Sequence, residues 1–103
     1  MLSTHLSLPA WIGDLVVPDL AYATDEAKMR VAIELSRRNV EAGTGGPFGA
    51  ALFGPDDRAI SVGVNRVLPE RCSVAHAEIM AFIIAQQRLG RPRLNRDADG
   101  RKA

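Results

Sequence analysis

Residues 75–90 read Ala-His-Ala-Glu-Ile-Met-Ala-Phe-Ile-Ile-Ala-Gln-Gln-Arg-Leu-Gly. Ala77, Ile79, Met80, Ala81, Phe82, Ile83, Ile84 and Ala85 make this stretch apolar almost all round. A helix of that kind sits inside a protein, against a sheet or another helix. Ser73 or Val74 precedes it and it runs to about Leu89; Gly90 can close it and Pro92 follows as a stop. Two titratable side chains, His76 and Glu78, stand at its start. A partnerless carboxylate in an apolar setting is costly, so Glu78 calls for a neutral form or a special use.

Working back from the helix, Val67 to Ser73 reads as a polar loop containing Pro69. Ala59 to Asn65 alternates, with Ile60, Val62 and Val64 on one side and Ser61, Gly63 and Asn65 on the other, which is a period-two strand. Phe48 to Phe53 is a short apolar run suited to a strand buried on both faces. Gly54-Pro55-Asp56-Asp57 between them is a strong turn signal, so the two strands read as an antiparallel hairpin. Gly43-Thr44-Gly45-Gly46-Pro47 is a loop by composition.

Thr24 to Ala42 predicts the other main helix, capped by Thr24 or Asp25, with Asp25 and Glu26 at the positive end of its dipole. Met29, Ala32, Ile33, Ser36 and Val40 fall on one face, and Gly43 can end the helix. Residues 1–23 read as an N-terminal lead in which Trp11, Ile12, Leu15, Val16 and Val17 can pack on the body, and residues 91–103 as a tail.

A chain of 103 residues has room for one small domain, and at 47% hydrophobic residues it can build a core. The net charge of +1 gives no electrostatic case for nucleic acid or an acidic membrane as partner. One Trp, one Tyr and three Phe leave little for a base-stacking platform. The single cysteine, Cys72, cannot form an internal disulfide. No apolar run is long enough for a bilayer and no signal peptide is visible, so the expected location is the cytoplasm.

His76 and Glu78 lie two apart, a spacing that does not put them on one helix face to bind a metal together. A ligand beside a non-ligand acid is the workable alternative: His76 holds a cation and Glu78 moves the protons of its water. Zinc suits this because it makes bound water acidic near neutral pH. The plain alternative is a histidine that only caps a helix. Asn65 can fold back on its own turn or turn its amide to a ligand. Phe48 is either core or a wall of a binding site.

Taken together, Gly45-Gly46-Pro47-Phe48-Gly49-Ala50, Gly63-Val64-Asn65-Arg66 and Ala75-His76-Ala77-Glu78 make the chain resemble the cytidine and deoxycytidylate deaminase superfamily. The nearest look is to its guanine deaminase, tRNA adenosine deaminase and nucleoside deaminase branch, over about Asp25 to Leu89. The family signature is H-x-E followed by P-C-x-x-C, with zinc on the histidine and cysteines and the glutamate as acid and base. The resemblance implies an α/β fold, a deaminase-like three-layer α/β/α sandwich, here truncated to a β-hairpin with two main helices over residues 24–90. It implies His76 as a zinc ligand and Glu78 as the catalytic proton carrier. Asn65, Phe48 and the Ala77 amide would meet a small base or nucleoside, guanine-like by preference, whose exocyclic amine is replaced by a carbonyl.

No P-C-x-x-C follows Glu78, and Cys72, four residues before His76, matches neither family cysteine. The expectation is therefore a partial domain with little or no deaminase activity alone. It would be a truncated or split product that pairs with itself or with a complementing C-terminal segment. The alternative is a degenerate, non-catalytic fragment that serves as an interaction or assembly module.

Overall fold

Thr24 starts the first long helix as its sequence predicts: its hydroxyl accepts from the Ala27 amide at 3.0 Å. The computed structural model describes residues 2–15 and 21–94. Its elements are α1 (Ile12–Leu15), α2 (Asp25–Glu41), β1 (Gly49–Phe53), β2 (Ala59–Val64), α3 (Val67–Glu70) and α4 (Ala77–Leu89). Of the predicted lead, residues 1 and 16–20 lie outside the described residues, as do residues 95–103 of the predicted tail.

The hairpin forms antiparallel as expected, with Gly49 opposite Val64 and Ala51 opposite Val62, but β1 starts after Phe48 and is only half-buried, so β2 and not β1 is the strand buried on both faces. The hairpin turn is closed by the Asp57 amide on the Gly54 carbonyl at 3.0 Å. A two-stranded sheet is marginal in water by itself, and here a helix covers each face. On one face Leu35 of α2 packs with Val62, Val64 and Ile12, joined by Leu8, Trp11, Leu15, Val31 and Ala51. The N-terminal lead is thus docked into the core. On the other face lies α4, where the Ser61 hydroxyl donates to the Ala81 carbonyl at 2.7 Å. The layers are α2, sheet, α4, as the predicted α/β/α sandwich requires.

Gly63 sets how closely α4 approaches. A methyl group there would stand 2.1 Å from the Ala77 carbonyl oxygen and 2.6 Å from the Ala81 nitrogen. Helix backbone therefore rests directly on strand backbone.

Expectations for the helices are corrected too. The buried face of α2 is centred on Leu35 and Asn39, so Met29 and Ile33 of the predicted apolar stripe are 60% and 59% exposed, and Val40 is exposed too. The helix is rotated because the Asn39 amide is engaged in the interior. Val67–Glu70, read as loop, is one turn of helix; Pro69 fits because first-turn amides need no helical partner. Helix α4 begins at Ala77, later than Ser73 or Val74, and buries Ala77, Met80, Ala81 and Ala85 while Ile79, Phe82 and Leu89 stay exposed. It is covered on its sheet side and open on the other. Gly90 closes it at φ 69°, as expected.

No helix among the described residues is long and apolar enough to cross a membrane.

The lead is also tied from outside the core. Glu70 accepts from the Ser7 hydroxyl at 3.1 Å and the Ser7 amide at 3.3 Å, and pairs with Arg66 at 3.2 Å. The Ser7 hydroxyl first, then Arg66, hold the Glu70 carboxyl below its ordinary value of 4.5.

Two outcomes follow. Gly63→Ala should destabilise the chain by about 1–3 kcal/mol or more, read as a lower denaturant midpoint, because two backbones must separate. Because the Glu70 pKa is lowered on folding, its contribution is fully present above the ordinary value of 4.5 and is lost as pH falls through the lowered folded value. The Ser7 amide resonance should move toward its unfolded position over that acid range, and Glu70→Gln should abolish the transition.

Candidate functional site

Strand β2 ends at Val64 and delivers Asn65 to a junction of four segments. The Asn65 amide donates to the Phe48 carbonyl at 3.2 Å, and its own carbonyl accepts from the Asn39 side chain at 2.9 Å. Its side-chain oxygen accepts from the Val67 amide at 3.2 Å, which is the self-turn that sequence reasoning weighed as the plain alternative. The next amide, Arg66, donates to the Ala75 carbonyl at 2.9 Å. That bond sets the residue before His76 beside the end of β2.

His76 is the N-cap of α4, with extended backbone at φ −73° and ψ 157° and no side-chain bond to the helix amides. The reading of His76 as a helix-capping side chain is therefore not realised. Its imidazole Nδ1 lies 3.4 Å from Glu78 Oε1. The two meet despite their spacing because His76 stands just outside the helix, where helical side-chain geometry does not hold. Both are open, at 56% and 58% exposed, which corrects the expectation of a buried Glu78. Ala77 between them is buried against Gly63 of β2, so the start of α4 is covered on its sheet side and open where these two side chains stand. The amides of Ala77 and Glu78 belong to the first turn, which has no intrahelical partners to offer them.

A cavity of about 310 Å³ is lined by Phe48, Asn65, His76, Ala77 and Glu78. These are the five residues the sequence singles out, brought together from β1's leading loop, the end of β2 and the start of α4. Phe48 is a wall there and not core, being 59% exposed. The volume lies at the small end of the range for small-molecule sites. Cys72 does not line it; its amide and carbonyl sit in the turn between α3 and α4.

An open catalytic zinc site takes three protein ligands and a water. His76 offers one imidazole without a capping bond. Among the described residues no three His, Cys, Asp or Glu side chains cluster closely enough to hold a metal ion. Within the described residues the site therefore offers one imidazole and no set of three donors.

Sequence reasoning missed the residues that brace the cavity from behind. Asn39 is fully buried and binds both Gly46 and Asn65 through its side chain. Arg66 donates to the Thr44 carbonyl at 2.7 Å and the Ser7 carbonyl at 3.1 Å. The available signal was an asparagine one helical turn after Leu35, a polar residue where the helix needs an inward face.

Residues 22–98 match the family model described as the cytidine and deoxycytidylate deaminase zinc-binding region. Among curated proteins nothing matches the chain. Among solved structures it is similar to a guanine deaminase from Nitrosomonas europaea, with 40% identity and a TM-score of 0.85, over 98% of this chain and 54% of that one. A protein designated NE0047, solved with 2,6-diaminopurine, is 44% identical with a TM-score of 0.83, over 96% of this chain and 51% of that one. A variant of NE0047 was solved with 8-azaguanine. A guanine deaminase from Bacillus subtilis is 37% identical with a TM-score of 0.65, over 69% of this chain and 45% of that one. The chain spans about half the length of the solved structures it matches.

The wall at Asn65 tolerates no side chain at Gly45, where a methyl group would stand 1.9 Å from the Asn65 carbonyl oxygen. Gly45→Ala should shift the Asn65 and Phe48 resonances while those of the α4 C-terminal half stay in place, as a spectrum of the labelled variant would read.

Proposed function

The chain belongs to the cytidine and deoxycytidylate deaminase family, and from that premise we propose that its cavity serves hydrolytic deamination of a small, guanine-like base. The observation that carries this is the gathering of Phe48, Asn65, His76, Ala77 and Glu78 around one cavity. The purine ligands of the NE0047 structures support the substrate class.

In this reading His76 would offer one nitrogen to a zinc ion, which would supply a bound water that is acidic near neutral pH. Glu78 carries protons. Its carboxylate accepts one as water adds to the ring carbon, gives it to the ring nitrogen, and then serves the departing amine. One water enters, one ammonia leaves, and an amine on the ring becomes a carbonyl. Phe48 lies against the ring as an apolar wall. Asn65 orients it through its amide, whose oxygen is already partly occupied by Val67. The free amides of Ala77 and Glu78 face a substrate oxygen.

The incomplete ligand set favours a second reading, a deaminase-like module that binds without catalysis. The two part on one experiment with the protein that carries this chain at its native length, supplied with zinc. Ammonia release from guanine should be measurable, and Glu78→Gln should lower kcat about 10²–10⁴-fold while 8-azaguanine binding changes little. Binding of 8-azaguanine without any ammonia release would leave the non-catalytic module, and neither binding nor release would end the purine-site reading.

A further inference from the structure

We propose that Asn39 is a positioning residue for the cavity, setting the spacing between its Phe48 and Asn65 walls without touching a guest itself. The claim about ligand affinity rests on the purine-site reading above; the claim about geometry does not.

Asn39 is fully buried in the last turn of α2, a helix whose outer face is exposed. A buried amide without partners is costly, so its place there needs its groups satisfied. The structure satisfies them all. Its side-chain nitrogen donates to the Gly46 carbonyl at 2.9 Å and to the Asn65 carbonyl at 2.9 Å. Its side-chain oxygen accepts from the Thr44 hydroxyl at 2.7 Å. The Thr44 hydroxyl in turn accepts from the Trp11 indole at 3.0 Å.

The two acceptors belong to different walls. Gly46 leads into Phe48, whose amide donates back to the Gly46 carbonyl at 2.9 Å. Asn65 is the opposite wall. One planar amide therefore cross-braces two segments that are distant in sequence. The Gly46 and Asn65 carbonyls fix which end of that amide points where, since both need its N–H groups; its oxygen is left to the Thr44 hydroxyl, which also lies 3.3 Å from the Asn39 main-chain carbonyl. The line of bonds begins at Trp11, so the docked N-terminal lead is part of the machinery that shapes the cavity.

Other side chains fail for stated reasons. Aspartate keeps the acceptor for Thr44 but turns a carboxylate on two carbonyl oxygens. Leucine keeps the volume and no hydrogen bond. A merely structural asparagine would affect the unfolding midpoint alone.

The test compares Asn39→Asp, Thr44→Val, Thr44→Ser and Ser61→Ala with the parent, in the protein that carries this chain. Calorimetric titration with 8-azaguanine and hydrogen exchange of the Asn65 and Phe48 amides are read. Asn39→Asp and Thr44→Val should weaken binding about tenfold or more and speed exchange of both amides about tenfold or more. Thr44→Ser, which retains the hydroxyl, should stay close to the parent in both. Ser61→Ala removes a buried hydrogen bond away from the cavity, so it should lower the midpoint and leave both readouts unchanged. If Asn39→Asp does not fold, Thr44→Val carries the test. Unchanged exchange and binding in folded Asn39→Asp or Thr44→Val would overturn the proposal. A parent that does not bind 8-azaguanine would remove the purine reading, while exchange still decides the brace.

Discussion

The site depends on how closely α4 can lie on β2. With no side chain at Gly63, the Ala77 carbonyl and Ala81 nitrogen come within reach of strand backbone. The start of the helix is then held at the end of the strand, and the Arg66 amide on Ala75 completes the alignment. His76 and Glu78 stand beside Asn65 because two backbones touch, and that contact is decided well away from any titratable group. A thicker interface would carry the helix start outward and open the cavity.

Much of this was legible beforehand. The hairpin followed from alternation in Ala59–Asn65 and the Gly-Pro-Asp-Asp turn, and the two main helices from capping residues and apolar content. Each of the five cavity residues has a plain explanation when taken alone; they were readable through the three motifs together and the family those motifs resemble. What was not legible depended on contacts between distant segments. Periodicity put Met29, Ile33 and Val40 inside because it weighs apolarity, whereas one satisfied amide at Asn39 turned the helix another way. Glu78 was expected to be buried from its apolar neighbours, yet burial depends on what covers the helix, which local composition does not state. The turn at α3 was hidden by Pro69, whose usual role as a breaker gives way in the first turn of a helix.

Family membership and the cavity bear on different scales. The match over residues 22–98 and the similarity to two guanine deaminases concern the fold and its ancestry. The cavity concerns chemistry, and there the described residues supply an acid, an imidazole, an amide and an aromatic wall. The solved relatives are about twice as long. The apolar residues left open here, Ile79, Phe82 and Leu89 on α4 and Met29 and Ile33 on α2, lie on the outward faces of the two outer layers.

The chain has a single tryptophan, and its indole is the first donor in the line that runs through Thr44 and Asn39 to the two walls. Indole emission responds to the strength of that one N–H bond and to the polarity around the ring. The molecule therefore carries a built-in optical gauge. A shift in the spacing of the walls alters the colour or yield of its only strong fluorophore, with no label attached.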